Sequence, residues 1–589
     1  MLTMNEDQVN DIIQRWRDTQ EEDVKPDDYQ LFKNLASACL AEGDGEQLLQ
    51  FVQDEKNQGI MKSMGHVLLA PLVNEAVKKK KNVNHCQAAI THLIKTCSPN
   101  HLLNSLLQVI EDIDPGAISE TILALIPHLQ TVLLRLDERK AASVGLVLSA
   151  LQRQVSRLPV PYSQQQVEAD ELGLCCCCTA LAAFTKPFIE EVKRKEGTTA
   201  EDEELKTEIL KFCMRSLREP LLEAELNRDR KSPLWLFAVD IMVTLPAIKE
   251  PLSGLLFFSS QRKSTMMDSS QTNESKACLA YLLFVQLITI DSFPAVFSPV
   301  FVLQCNVEYI NHLLSRKKES YLLKGLALFS KSLENIQDNS LPVSLLEQKS
   351  FYSVSQNLRQ LLTDCPMQHL RESGLQIFRL FINKLDAEAK HKFFRCMLKT
   401  SSHAGVESYI VKNIRNQIEF SMKPGNANKW FLGTEFLPLL GLVLCLPQGA
   451  ETDLLNSMDK IMESLNLLRY VLIRDKELRS NVDVWEELCR IKDEYLKMLR
   501  VCISISRSYY SSELKALKED QKLKAKEARD AARSNRLVRS ITIKHEKVSN
   551  MSPEVQHQVL QSALVTFDLM ESLIVRIEEI TEEKLTKLN

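Results

Sequence analysis

Apolar residues in this chain return with the period of an α-helix from one end to the other, and that rhythm limits the fold more than any other feature. In EDEELKTEILKFCMRSLREP, the residues Leu205, Ile209, Phe212, Cys213 and Leu217 fall at i, i+4, i+7, i+8 and i+12. These positions share one face of a helix, which Pro220 then ends. Val555, Val559, Leu560, Ala563, Leu564, Phe567, Met570 and Ile574 repeat the pattern farther along, with Ser552 suited to the N-cap and Pro553 to the first helical position. Similar stretches of roughly 12–22 residues recur throughout. Strand-like alternation is nearly absent. Its best instance, VFSPVFVLQ at 296–304, carries Pro299 in its middle, which argues against a paired strand.

Glycine supports the same reading. The chain has 16 glycines in 589 residues, roughly 3% against a usual ~7%. Sheets, barrels and nucleotide-binding folds need many tight turns, and glycine supplies the positive φ those turns require. A chain this long also exceeds the ~250–300 residues that one core can serve. Roughly 25 amphipathic helices with short connections point to an all-α fold, an α-solenoid of irregular HEAT- or armadillo-like repeats. No tetratricopeptide pattern and no clean sequence repeat is present, so the expectation rests on periodicity and length.

Polar or proline-rich breaks divide the chain at 155–163, 193–204, 259–276 and 422–428. They predict N-terminal helical repeats over 1–258, a polar loop at 259–276, and C-terminal repeats over 277–511. A charged insert at 512–550, read as a solvated helix or a disordered segment, then precedes a C-terminal helix at 551–589.

The formal net charge of −4 gives no push toward nucleic acid. Fifteen cysteines, an odd number, lie scattered along the chain, and MLTMNEDQVNDIIQRWRDTQ opens it without an apolar signal core. Reduced thiols and a cytoplasmic location are the expectation. No segment reaches the ~18 uncharged apolar residues of a membrane span. Ala277–Ile290 comes nearest and is expected to be a buried helix.

No constellation of residues points to catalysis. Cys175 to Cys178 form a run, but successive helical residues point ~100° apart, so four of them cannot converge on one metal. Buried packing thiols are the simplest reading, with palmitoylation or redox sensing behind it. The 11 histidines offer no HExxH pattern, and neither GxSxG, GxxxxGK[ST] nor GxGxxG occurs. Neither cofactor nor metal is implied. Binding chemistry is richer: Lys429, Trp430 and Phe431 follow a Pro-Gly loop at a helix mouth, and Arg469, Tyr470 and Arg474 lie within two turns of another helix. Trp, Tyr and Arg dominate binding hot spots because they bury large areas at low entropic cost. Core aromatics with snorkelling arginines are the competing reading.

Several long and unusual strings carry a specific resemblance. LPVPYS, GLCCCCTALAAFTKPFIEEV, FINKLD, FFRCMLKTSSHAGVESYIVKNIRNQI, NKWFLG, GAETDLLNSMDKIMESLNLLRYVLIRD and MSPEVQHQVLQSALVTFDLMESLIVRIEE occur in that order. The chain thereby resembles the glomulin family, whose members are also described as FKBP-associated proteins. The resemblance implies a HEAT-like, non-catalytic inhibitor of cullin–RING ubiquitin ligases that binds the RING domain of the RING-box subunit and covers the E2-docking surface. It also implies an FKBP-type immunophilin partner, a link to vascular development, and a RING contact in the C-terminal repeats. That region contains Lys429, Trp430, Phe431, Arg469, Tyr470 and Arg474. Two other readings stay open at this point: an immunophilin or receptor adaptor without ligase inhibition, and an enzyme without a known motif.

Overall fold

The computed structural model describes residues 6–19, 23–78, 83–195, 199–227, 229–258, 269–293, 297–474, 476–479, 481–533 and 553–586. Among these the regular structure is helical, and the one strand-like feature is an isolated parallel bridge between Leu341 and Leu385. The chain forms two compact units, Met1–Asn335 and Ile336–Asn589. This division differs from the expected break at 259–276, of which 259–268 lie outside the described residues. From Ser269 onward the chain is already helical, in Ser269–Phe284. The polar start of that helix is carried by its apolar second half. Every residue from Ala277 to Leu283 is at most 1% exposed, so the buried half fixes the register and the helix extends back from it.

In the first unit each helix finds its apolar partners mostly among near neighbours in sequence. Ile118–Leu134 lies against Pro99–Glu111, Lys140–Val155 and Leu174–Lys195, while Lys140–Val155 also packs on Ala200–Ser216. Pro299–Leu314 fits between Ser269–Phe284 and Glu319–Glu334. The stripe read from the sequence is fully used: Leu205, Ile209, Phe212, Cys213 and Leu217 are all buried. Each large aliphatic side chain removed from water contributes about 1.5–3 kcal/mol. The helix ends at Ser216, and a single π-helical turn, Leu217–Leu221, takes in Pro220.

Ser-Pro pairs open several helices. Ser232 accepts a hydrogen bond from the Trp235 amide at 3.2 Å, and Ser298 does the same for Phe301. The adjoining Pro233 and Pro299 take the first helical positions, where no donor is needed. Pro299, which demoted the candidate strand at 296–304, in fact starts a 16-residue helix.

Long polar side chains tie one helix to the backbone of another. Gln130 donates to the Phe184 carbonyl at 3.1 Å, Gln154 to Ile110 at 2.8 Å, and Gln152 to Phe212 at 2.9 Å. Ser275 reaches Met214 at 2.6 Å. Lys324, 3% exposed, donates to the Ala224 carbonyl at 2.6 Å and stands 5.3 Å from the Tyr281 ring centre. Burial pulls this ammonium down to about 8. Such bonds cross from one helix to the next and fix which turns lie opposite one another.

The second unit repeats the scheme. Ala404–Ser421 packs on Met458–Ile473, which also meets Pro553–Thr586, and that last helix runs along Val482–Arg533. The described part of the charged insert, 512–533, continues the 52-residue helix Val482–Arg533, and 534–552 lie outside the described residues. Among the described residues one helix, Glu554–Glu583, is long and apolar enough to cross a membrane by length and composition. Within the unit its Ala563, Phe567, Met570, Ile574 and Ile577 are buried. Arg507 pairs with Asp568 and Glu571 at 2.5 and 2.7 Å, and Arg500 pairs with Glu578 at 2.5 Å.

His66 provides a pH test of the first unit. Its ring is tilted against His101 and Tyr29, with centroids 5.1 and 5.7 Å away, and its Nδ1 is buried without a hydrogen bond among the described residues. Burial, and then the neighbouring His101, lower its pKa from 6.5 to about 4. The unfolded chain therefore takes up this proton first as pH falls, and stability is lost between pH 6.5 and about 4. Thermal melts across that window should show a shallower decline for His66→Asn than for the parent.

Candidate protein-binding surface

The residues singled out by the sequence divide into surface and core. Asn428 caps the short helix Lys429–Leu432, accepting from the Phe431 amide at 3.2 Å, and holds Ser421 with its own amide at 2.8 Å. Lys429 is exposed and stands 4.8 Å from the Trp430 ring centre, a cation–π contact. Trp430 is half-buried against His391, with centroids 5.3 Å apart. Phe431 is a correction: it is fully buried between His391 and Phe394, at 6.0 and 6.3 Å, and offers no surface to a partner. In one helical turn the residue next to an exposed lysine points ~100° away from it, and the residue after that turns into the core. His391 itself donates from Nε2 to the Glu435 carbonyl at 2.7 Å, and burial holds it below the ordinary imidazole range.

Arg469 and Arg474 are exposed on Met458–Ile473 and at its C-cap, and Tyr470 is half-buried. The Lys429–Leu432 turn packs on Ala387–Thr400, Ala404–Ser421 and Phe436–Val443, whereas Met458–Ile473 packs on Ala404–Ser421 and Pro553–Thr586. The two groups share Ala404–Ser421 as a neighbour.

A further surface feature lies outside the sequence-selected residues. Along Val482–Arg533, Met498, Val501, Ile505 and Tyr509 are 43–59% exposed. Their 3-4-4 spacing sets them in one line along the helix. Leu496, Leu499, Cys502 and Ile503 on the adjoining face are buried. A line of this kind, two faces of one helix both apolar, exceeds what packing inside the unit uses and is a candidate contact surface. The signal was present as an apolar band too wide for one buried stripe, but only burial separates its halves.

The cysteine run resolves into packing. Cys175, Cys177 and Cys178 are at most 2% exposed and Cys176 is exposed. Asp170 accepts the Cys175 and Cys176 amides at 3.0 and 2.9 Å at the start of Leu174–Lys195. Burial, followed by the Asp170 charge, pushes the Cys175 and Cys177 thiols up to about 12, so they stay protonated. Among the described residues no group of three His, Cys, Asp or Glu side chains could hold a metal ion.

Stacked helices bearing an apolar surface of this kind define a helical-repeat protein of the protein-binding class. A sequence profile described as an uncharacterised family, YAP/Alf4/glomulin, matches residues 1–236 and 239–563, and the chain belongs to that family. It is 43% identical to human glomulin over 592 residues, covering 98% of both chains, and 42% identical to mouse glomulin over 591 residues with the same coverage. A circular tandem repeat protein with a novel repeat topology aligns over 96% of this chain and 91% of its own at 12% identity, but its TM-score of 0.14 is too low to bear on the fold.

Phe431→Ala should cost about 3–5 kcal/mol, the range for deleting a fully buried aromatic ring. Lys429→Ala should change stability by no more than about 0.5 kcal/mol. Urea denaturation of the two variants compares them directly.

Proposed function

We propose that this protein is a non-catalytic inhibitor of cullin–RING ubiquitin ligases, acting in the cytoplasm by binding the RING domain of the RING-box subunit and masking its E2-docking surface. The observation that carries this reading is near full-length similarity to glomulin, 43% over 98% of both chains. The exposed apolar line on Val482–Arg533 supports it, as do the exposed cations Lys429, Arg469 and Arg474 in the same unit. An FKBP-type immunophilin is proposed as a further partner on the same similarity.

The mechanism needs no bond to be made or broken. An E2 docks on a RING domain through a small, transient contact, and a stable interface buries about 800 Å² on each side. A rigid helical surface with apolar anchors loses little entropy on docking, so it can hold the RING longer than the E2 does. Occupancy of the RING face then blocks ubiquitin transfer by exclusion alone.

A reconstituted assay with a neddylated cullin–RING ligase, its E2 and the purified protein tests this. Chain formation should fall as the protein is added and recover with excess E2. Unchanged chain formation at concentrations that saturate the RING-box subunit would overturn masking in favour of an adaptor role. Replacing Arg469 and Arg474 together by alanine should weaken RING-box binding several-fold and leave the melting temperature unchanged, since both side chains are exposed.

A further inference from the structure

His391, on Ala387–Thr400, is closed off from solvent at 0% exposure, and its ring serves three neighbours at once. Nε2 donates to the Glu435 carbonyl at 2.7 Å, just ahead of Phe436–Val443. The Trp430 and Phe431 rings lie against it, with centroids 5.3 and 6.0 Å away. With the proton on Nε2, the neutral ring keeps its lone pair on Nδ1. That atom is buried and has no hydrogen-bond partner among the described residues. A neutral imidazole tolerates an unused acceptor there. An imidazolium does not, because the added proton makes Nδ1 a charged donor with nothing to accept it.

The cover over this ring is held by local bonds. Lys429–Leu432 is a single four-residue turn. The Phe431 amide donates to the Asn428 side chain, and the Leu432 and Gly433 amides donate to the Asn428 and Lys429 carbonyls, each at 3.2 Å. Phe431 is fully buried and anchors the turn, whereas Trp430 is half-buried and is the side chain that can swing clear. Arg395 on the same helix opposes a positive charge on His391, and Glu435 and Glu388 favour one. Val343–Leu346 carries no charged side chain, and the charge that Ala404–Ser421 buries, Glu407, pairs with Lys460 at 3.5 Å. An imidazolium would also be drawn to the Trp430 ring, but Lys429 already stands 4.8 Å from the centre of that ring. A shared cation–π contact does not offset a buried charged donor left without an acceptor.

We propose that His391 is a proton-operated latch for the Lys429–Leu432 turn: neutral, it holds Trp430 packed in place, and protonated, it releases the turn so that Trp430 and Lys429 leave their present positions. Nδ1 is closed to water while the turn is packed, so the proton is taken up as the turn opens, and this is what couples the two events. The latch stands on the chain's own geometry and holds whether or not the ligase reading does.

Hydrogen exchange of the purified full-length protein, followed by mass spectrometry between pH 7.5 and 5 and corrected for intrinsic exchange rates, tests the latch. Burial holds the imidazole of the closed turn below 6.5, the value it regains in water. The open form therefore binds the proton first, and protection of the Phe431, Leu432 and Gly433 amides should fall as pH drops below 6.5. One linked proton gives a fall of up to about tenfold per pH unit, levelling off once His391 titrates in the closed turn. His391→Gln keeps a donor for the Glu435 carbonyl and cannot take up the proton, so its protection should be flat over the same range. Trp430→Ala lets water reach the ring, and should raise exchange at pH 7.5 while flattening the response to acid. A parent whose protection does not change with pH overturns the latch. So does a folded His391→Gln protein that keeps the parental response, since another group would then be titrating. Should His391→Gln fail to fold, Trp430→Ala decides: a flattened response supports the latch, and the parental slope overturns it.

Discussion

Each helix in this protein carries an apolar stripe that cannot be buried by the helix itself, and the fold is the set of neighbours that solves this problem. Leu205, Ile209 and Phe212 are buried because Lys140–Val155, Leu174–Lys195 and further helices lie against Ala200–Ser216. Once helices stack, their carbonyls are taken out of solvent as well, and side chains such as Gln130, Gln154, Ser275 and Lys324 reach across to meet them. Apolar burial supplies the driving force, while these bonds fix which turn lies against which. A glutamine that has to meet one particular carbonyl tolerates no slip along the helix.

The same constraint explains where binding can occur. A helix with neighbours on every apolar face has nothing left to offer a partner. Val482–Arg533 keeps such a face, because its line from Met498 to Tyr509 stays in solvent while the adjoining face is packed. Partner-binding capacity in such a fold is unspent packing capacity.

The cysteines illustrate how context settles chemistry. A run of four thiols looks reactive on paper, yet three of them are buried and held protonated by burial and a nearby carboxylate. They act as small apolar groups at helix contacts. Only Cys176 of the run faces outward.

Much of the architecture was legible in the linear pattern, because helical periodicity, scarce glycine and Ser-Pro starts are local properties of the chain. The all-helical class, the start at Pro553, and the buried faces follow from side-chain spacing and need no knowledge of what packs on them. Family membership was legible too, carried by long strings such as GLCCCCTALAAFTKPF. What the sequence could not assign was the destination of residues with two chemically sensible fates. Phe431 and Met498 are both apolar residues on helices, and only the tertiary structure sends the first against His391 and Phe394 and leaves the second in solvent. The reason is physical: periodicity says which residues share a face, but burial depends on which other helix arrives there, and that is decided by contacts between residues far apart in the chain.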